Sequence, residues 1–191
     1  WVHFYPQLCE ALPVFKQTPF DAFYKAINKV EPSLIRVEAD EVTYNLHIMV
    51  RFEMEMAMLE GKLKIKDVPE AWNAKYQDYL GLTPENDAVG CMQDVHWSAG
   101  LIGYFPTYAL GNLISVQMFE RIKKDIPDLT EQFKRGEFSQ LLTWLRKHVH
   151  QHGRRYAPTD LIKRATGKAL TAKPYIAYLK SKFGDIYGLT S

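Results

Sequence analysis

The fold class is decided by residues 34–61, LIRVEADEVTYNLHIMVRFEMEMAMLEG. Leu34, Val42, Leu46, Met49, Val50 and Met56 recur at intervals that bring them broadly onto one face of a helix. The spacing predicts one long helix from about Leu34 to Leu59, restarted by Pro32-Ser33 and ended by Gly61. A polar set, Arg36, Asp40, Tyr44, His47 and Arg51, follows the same period. Arg36 and Asp40 are four apart, share a face and are expected to pair. That stripe is either a solvated surface of ion pairs or the lining of a cleft.

The same punctuation continues on both sides. Thr18-Pro19 places a cap and a proline ahead of AFYKAINKV, and Thr83-Pro84-Glu85 repeats the device. Helices are expected over Pro69–Leu80, with Trp72, Tyr76, Tyr79 and Leu80 as the apolar side, and from about Thr107 to Lys124. Shorter ones follow Pro127, run from Glu137 to Gln151, and start at caps Thr159-Asp160 and Thr171, the last ending at Gly184. Alternating strand patterns are nearly absent, and no repeat or low-complexity linker interrupts the 191 residues. The expectation is a single all-α domain over residues 1–191, a bundle of roughly eight helices.

Composition narrows the function. The net charge of +2 implies no obligate polyanion partner, but residues 1–120 carry 9 basic and 16 acidic side chains, and residues 121–191 carry 15 and 6. The two regions are expected to complement one another. The alternative is a non-catalytic module that presents its basic C-terminal third to an acidic partner or nucleic acid. No aromatic-interleaved basic motif supports nucleic-acid binding, and no apolar run is long enough to span a membrane. The two cysteines, Cys9 and Cys91, suggest no disulfide framework, which points to a reducing, cytoplasmic setting. The opening residues WVHFYPQL, aromatic and without an initiator Met, are expected to come from the interior of a longer protein.

One further stretch is dense in chemistry. Residues 90–108, GCMQDVHWSAGLIGYFPTY, hold Gln93, Asp94, His96, Trp97, Tyr104 and Tyr108, with Gly90, Gly100, Gly103 and nearby Gly111. His96 and Tyr108 are twelve apart and can converge if a loop or bent helix joins them. Imidazole and phenol can stabilise a developing oxyanion when backbone amides are not available. Asp94 could orient the ring of His96 through its other nitrogen. The plainer alternative is a buried histidine and a core tyrosine. His148, His150 and His152 would fan apart on a helix, so they suit a cationic helix C-terminus better than a metal. His152-Gly-Arg-Arg-Tyr156 could hold an anion or be solvated surface. Neither phosphate-cradling glycine motifs nor H-E-x-x-H occur.

Taken together, two of these stretches match known signatures. Ile35–Asp40 fits I-[RA]-x-x-A-D and Gly90–Trp97 fits G-x-x-Q-D-x-H-W. In this order, and with RVEADEVTYNLHI and GYFPTYALGN beside them, they resemble the carboxypeptidase Taq family of metallocarboxypeptidases over essentially the whole chain. The resemblance implies one half of a helical, groove-shaped peptidase domain. It implies removal of single residues from peptides with a free C-terminus, with little preference for proline, and a homodimer. It also implies a divalent metal, zinc or cobalt, in the full-length enzyme. The family's upstream H-P-F, D-x-R-x-T, H-E-x-x-H and H-E-S motifs do not occur in these residues. The chain therefore resembles a C-terminal portion that binds no metal through its own residues, requires the N-terminal half, and is inactive alone. Carried onto this sequence, the resemblance gives His96 and Tyr108 as oxyanion donors. Arg36 becomes the guanidinium for the substrate carboxylate, held by Asp40. Gln93 and Asp94 position His96, and Trp97 packs.

Overall fold

Helices account for all the regular structure among the described residues, 1–189 of a computed structural model. In chain order they are α1 (Tyr5–Ala11), α2 (Phe20–Ile27), α3 (Tyr44–Leu59), α4 (Val68–Leu80) and α5 (Pro106–Asp125). There follow α6 (Leu129–Lys134), α7 (Ser139–His148), α8 (Pro158–Thr166) and α9 (Lys173–Tyr187). Short 3-10 turns form at Pro13–Gln17, Arg36–Glu38, Ile65–Asp67 and His150–His152. Contacts divide the chain into two units, Asn28–Gly111 and Trp1–Ile27 with the residues from Asn112 onward.

The first of these units is built on α3 and α4. Val50 and Met54 of α3 pack against Val68, Trp72, Tyr76 and Leu80 of α4, and Cys91 and Trp97 close over the same core. Trp72 stacks on Tyr76 with ring centroids 4.9 Å apart and meets Trp97 edge to face. Burying such aromatic area stabilises by about 1.5–3 kcal/mol per side chain. Helix α4 ends as expected: Gly81 takes a left-handed φ of 70° and its N–H closes on the Gln77 carbonyl.

Helix α3 corrects the sequence reading in two ways. It begins at Tyr44, not Leu34, because Asp40 interrupts the pattern. One Asp40 oxygen accepts the backbone N–H groups of Val42 and Thr43 at 2.8 and 3.0 Å, and the other accepts the Thr43 hydroxyl at 2.6 Å. A carboxylate satisfied locally in this way sets a helix start, and Ala39 before it is extended. The buried face also differs from the expected one. It carries His47, Ile48, Val50, Arg51, Met54 and Glu55, whereas Met49 and Met56 join Phe52 and Leu59 on the exposed side. Polar residues take the inward positions in place of these methionines because Arg51 and Glu55 both have partners there.

The segment 81–105 contains no helix, so Thr83-Pro84-Glu85 opens a loop instead. Asn86 accepts the N–H groups of Ala88 and Val89, turning the chain where a cap was expected. In the other unit, Ile122, Ile126, Leu129, Trp144 and Ala165 form the core. Gly136 has a φ of 75° and leaves no room for a side chain: a Cβ would lie 2.5 Å from His3 Nε2. Helix α8 starts from extended Ala157 with Pro158 in its first turn, one step before the expected Thr159-Asp160 cap, and α9 runs past Gly184 to Tyr187.

Candidate active site

The loop between α4 and α5 is fastened to α3 by two carboxylates. Glu55, buried on α3, accepts the indole N–H of Trp97 at 2.9 Å and the backbone N–H of Gly103 at 2.6 Å. Gly103 has a φ of 78°, which an L side chain rarely adopts. Asp94 makes the second attachment. Its Oδ1 accepts from Arg36 Nη2 at 2.6 Å and Nε at 3.0 Å, and its Oδ2 accepts from Arg51 Nε at 2.6 Å. Gln93 beside it accepts the Arg36 backbone N–H at 2.9 Å and an Arg51 Nη2 proton at 2.7 Å, and donates to the Leu34 carbonyl at 3.0 Å. Gly90 packs so tightly in the preceding turn that a Cβ would lie 3.0 Å from the Asn86 carbonyl.

Arg36 therefore lies in a 3-10 turn and is held by Asp94, not by Asp40, which is occupied in the turn leading into α3. The expected pairing assumed an unbroken helix through both residues. Gln93 and Asp94 likewise grip Arg36 and Arg51 rather than His96. Asp94 Oδ1 is 3.8 Å from His96 Nδ1, beyond hydrogen-bond reach, and that nitrogen has no partner among the described residues. Burial pushes the Asp94 carboxyl up, but hydrogen bonds and charge from the two arginines outweigh it and hold the group below the usual range.

His96 and Tyr108 do converge. His96 Nε2 lies 2.9 Å from the Tyr108 hydroxyl, across the twelve-residue interval. The imidazole is buried against Phe105, with ring centroids 4.3 Å apart, while Tyr108 is half-buried at the start of α5. The Arg36 guanidinium lies 4.9 Å from the Tyr108 ring centroid and donates to the Tyr44 hydroxyl at 3.1 Å. The polar stripe Tyr44–His47–Arg51 thus faces this constellation.

Sequence reasoning missed Tyr76 and Glu55. Tyr76 was assigned to an apolar face, yet its hydroxyl meets His47 Nδ1 at 3.1 Å and Arg51 Nη1 at 3.2 Å. Glu55 was legible: with His47 and Arg51 it repeats every four residues along one helical face. His148 ends α7 beside Arg146 and Lys147 in the last turn, and His150 and His152 occupy the following 3-10 turn. Among the described residues, no group of three His, Cys, Asp or Glu side chains is placed to hold a metal ion.

The family model for the carboxypeptidase Taq (M32) metallopeptidases matches residues 1–183. Thermostable carboxypeptidase 1 of Thermus thermophilus is 48% identical over 188 residues, which cover 98% of this chain and 37% of that protein. Carboxypeptidase 1 of Bacillus subtilis is 47% identical over 188 residues, covering 98% of this chain and 38% of its own length. The crystal structure of the M32 carboxypeptidase from Deinococcus radiodurans R1 superposes with a TM-score of 0.95 at 44% identity, over 99% of this chain and 38% of that one. The chain belongs to the carboxypeptidase Taq (M32) family of metallopeptidases. It corresponds to somewhat more than a third of the length of the relatives it matches.

Proposed function

We propose that this chain supplies the substrate-binding and oxyanion-stabilising wall of a metallocarboxypeptidase that releases residues from the C-termini of peptides. The observation that carries the reading is the 2.9 Å contact between His96 Nε2 and the Tyr108 hydroxyl, at the end of the loop that Asp94 and Glu55 fasten. With the proton on Nε2, His96 donates to the phenol oxygen, and the phenol's own O–H is left to point outward at a developing oxyanion. A donor relay of this kind polarises along its length. Arg36 keeps two guanidinium protons without a recorded partner, one on each terminal nitrogen, and these are offered to the free carboxylate of the peptide.

The family name implies a metal, zinc or cobalt in this reading, but the described side chains of this chain do not fit one. The metal's ligands and the general base are assigned to the N-terminal part of the enzyme, so the chain alone is proposed to be inactive, and the assembled enzyme to be a homodimer. The Tyr108→Phe variant of the intact enzyme tests the site. A fall in kcat of about 100- to 1,000-fold, with KM little changed, is the expected result for loss of an oxyanion donor. An unchanged kcat would remove Tyr108 from the chemistry.

A further inference from the structure

Three charged side chains meet in the interior of the unit and do not cancel. Asp94 bonds both Arg36 and Arg51, and the three side chains are 10%, 7% and 0% exposed. No second carboxylate is recorded on either guanidinium among the described residues. The neighbouring acids bond other groups: Glu55 holds Trp97 and Gly103, and Asp40 holds Val42 and Thr43 in the turn before α3. His47 contributes no charge at neutral pH, since burial first and then Arg51 and Arg36 lower its pKa to about 4. The two guanidiniums therefore share a single directly bonded carboxylate, while Glu55 and Asp40, bonded only to neutral groups, balance them from further off. A buried guanidinium that shares its one bonded carboxylate gains from a further anion that completes it.

The two arginines differ in what they can still reach. Arg51 is spent on protein. It bonds Asp94, Gln93, the His47 carbonyl at 2.8 Å and Tyr76, and its guanidinium is 4.7 Å from the Trp72 ring centroid. With no exposed surface it cannot touch a ligand. Arg36 retains free protons and lies beside half-buried Tyr44 and Tyr108. Had Asp94 bonded Arg36 alone, the pair would be neutral.

We propose that Arg51 is a positioning residue. By sharing Asp94, it leaves Arg36 only partly neutralised, and so keeps Arg36 receptive to the carboxylate of a peptide substrate. This rests on the reading of Arg36 given above, and it makes charge, not shape, the contribution of Arg51.

The test compares inhibition of the intact enzyme by an N-blocked dipeptide and by its C-terminal carboxamide. A unit charge several ångströms away, at an effective dielectric of about 20, shifts affinity by roughly one to two orders of magnitude. Arg51→Met is therefore expected to weaken the acid by about tenfold or more while leaving the amide nearly unchanged. Arg51→Lys, which retains charge and loses the planar hydrogen-bond fan, should preserve most of the acid preference. Should Arg51→Met fail to fold, citrulline at position 51 removes the charge while keeping the shape, and the same loss is expected. Equal weakening of acid and amide, or equal loss in the Lys and Met variants, would show a purely structural role and overturn the proposal. Arg36→Met separates the two readings. If it leaves acid preference intact, the assignment of Arg36 fails; if it abolishes the preference while Arg51→Met does not, only the role of Arg51 fails.

Discussion

Asp94 is the residue on which the site depends most heavily, because one carboxylate restrains two buried guanidiniums. Its removal leaves both charges unpaired. Asp94→Ala is expected to destabilise the fold by about 3–5 kcal/mol, measured as a drop in the urea midpoint at constant slope. The surface pair Arg121–Asp125, by contrast, is expected to contribute less than about 1 kcal/mol. At this scale the sequence disclosed residue types and intervals. It offered Arg36 two acceptors, Asp40 four positions away and Asp94 fifty-eight positions away. A continuous helical period favours the near one, and no local rule ranks the distant one. His96 and Tyr108 were legible for the opposite reason: Pro106 and the glycines before it mark where a loop becomes a helix, and the interval spans that change.

Among the elements, α3 carries a titratable group where water does not reach. His47 is fully buried and its Nδ1 meets Tyr76. Burial, then the positive charge of Arg51 and Arg36, takes its pKa from 6.5 to about 4. The unfolded chain therefore binds this proton before the folded one does. The contribution is complete above pH 6.5 and is lost progressively as pH falls toward 4, amounting to about 3 kcal/mol. Urea unfolding between pH 7 and 4 should show that decline, and His47→Gln should flatten it. In the other unit, Gly136→Ala would force an L side chain to a φ of 75° and onto the His3 ring. A loss of about 1–3 kcal/mol is expected, seen as a lower Tm. Helices α4 and α5 were readable to within a residue or so, since Pro69, Gly81, Pro106 and the terminal lysines punctuate them. The start of α3 was not, because the Asp that reads as an ion-pair partner instead bonds the backbone just after it and turns the chain ahead of the helix. The inward turn of Arg51 and Glu55 was hidden too, as burial of charge depends on partners brought from afar.

At the scale of the molecule, apolar surface and chain connectivity both matter. Met49, Phe52, Met56 and Leu59 form an exposed row on α3, and Ile65, Met92, Val95 and Ile102 are exposed in the same unit. A row of this kind on an isolated chain binds hydrophobic dyes and promotes association. Sedimentation of the chain should be concentration-dependent, and Phe52→Lys with Leu59→Lys should suppress it without lowering Tm. The all-helical class was plain from periodicity alone, but the division into two units was not, because α5 runs without a break from one into the other.

The bond from the Arg36 backbone N–H to Gln93 joins residues 57 apart, and it has a kinetic meaning. Closing a loop of that length costs about 3–4 kcal/mol in chain entropy before any contact repays it. Helices α3 and α4 can form and pair within the enclosed segment first, so the bond is among the last to close and the first to report opening. Amide exchange at Arg36 is then a clock for the opening of this long-range link rather than for its own small turn. Any variant that loosens the link between Gln93 and Arg51 should quicken that clock while the amides inside α4 keep their slow exchange.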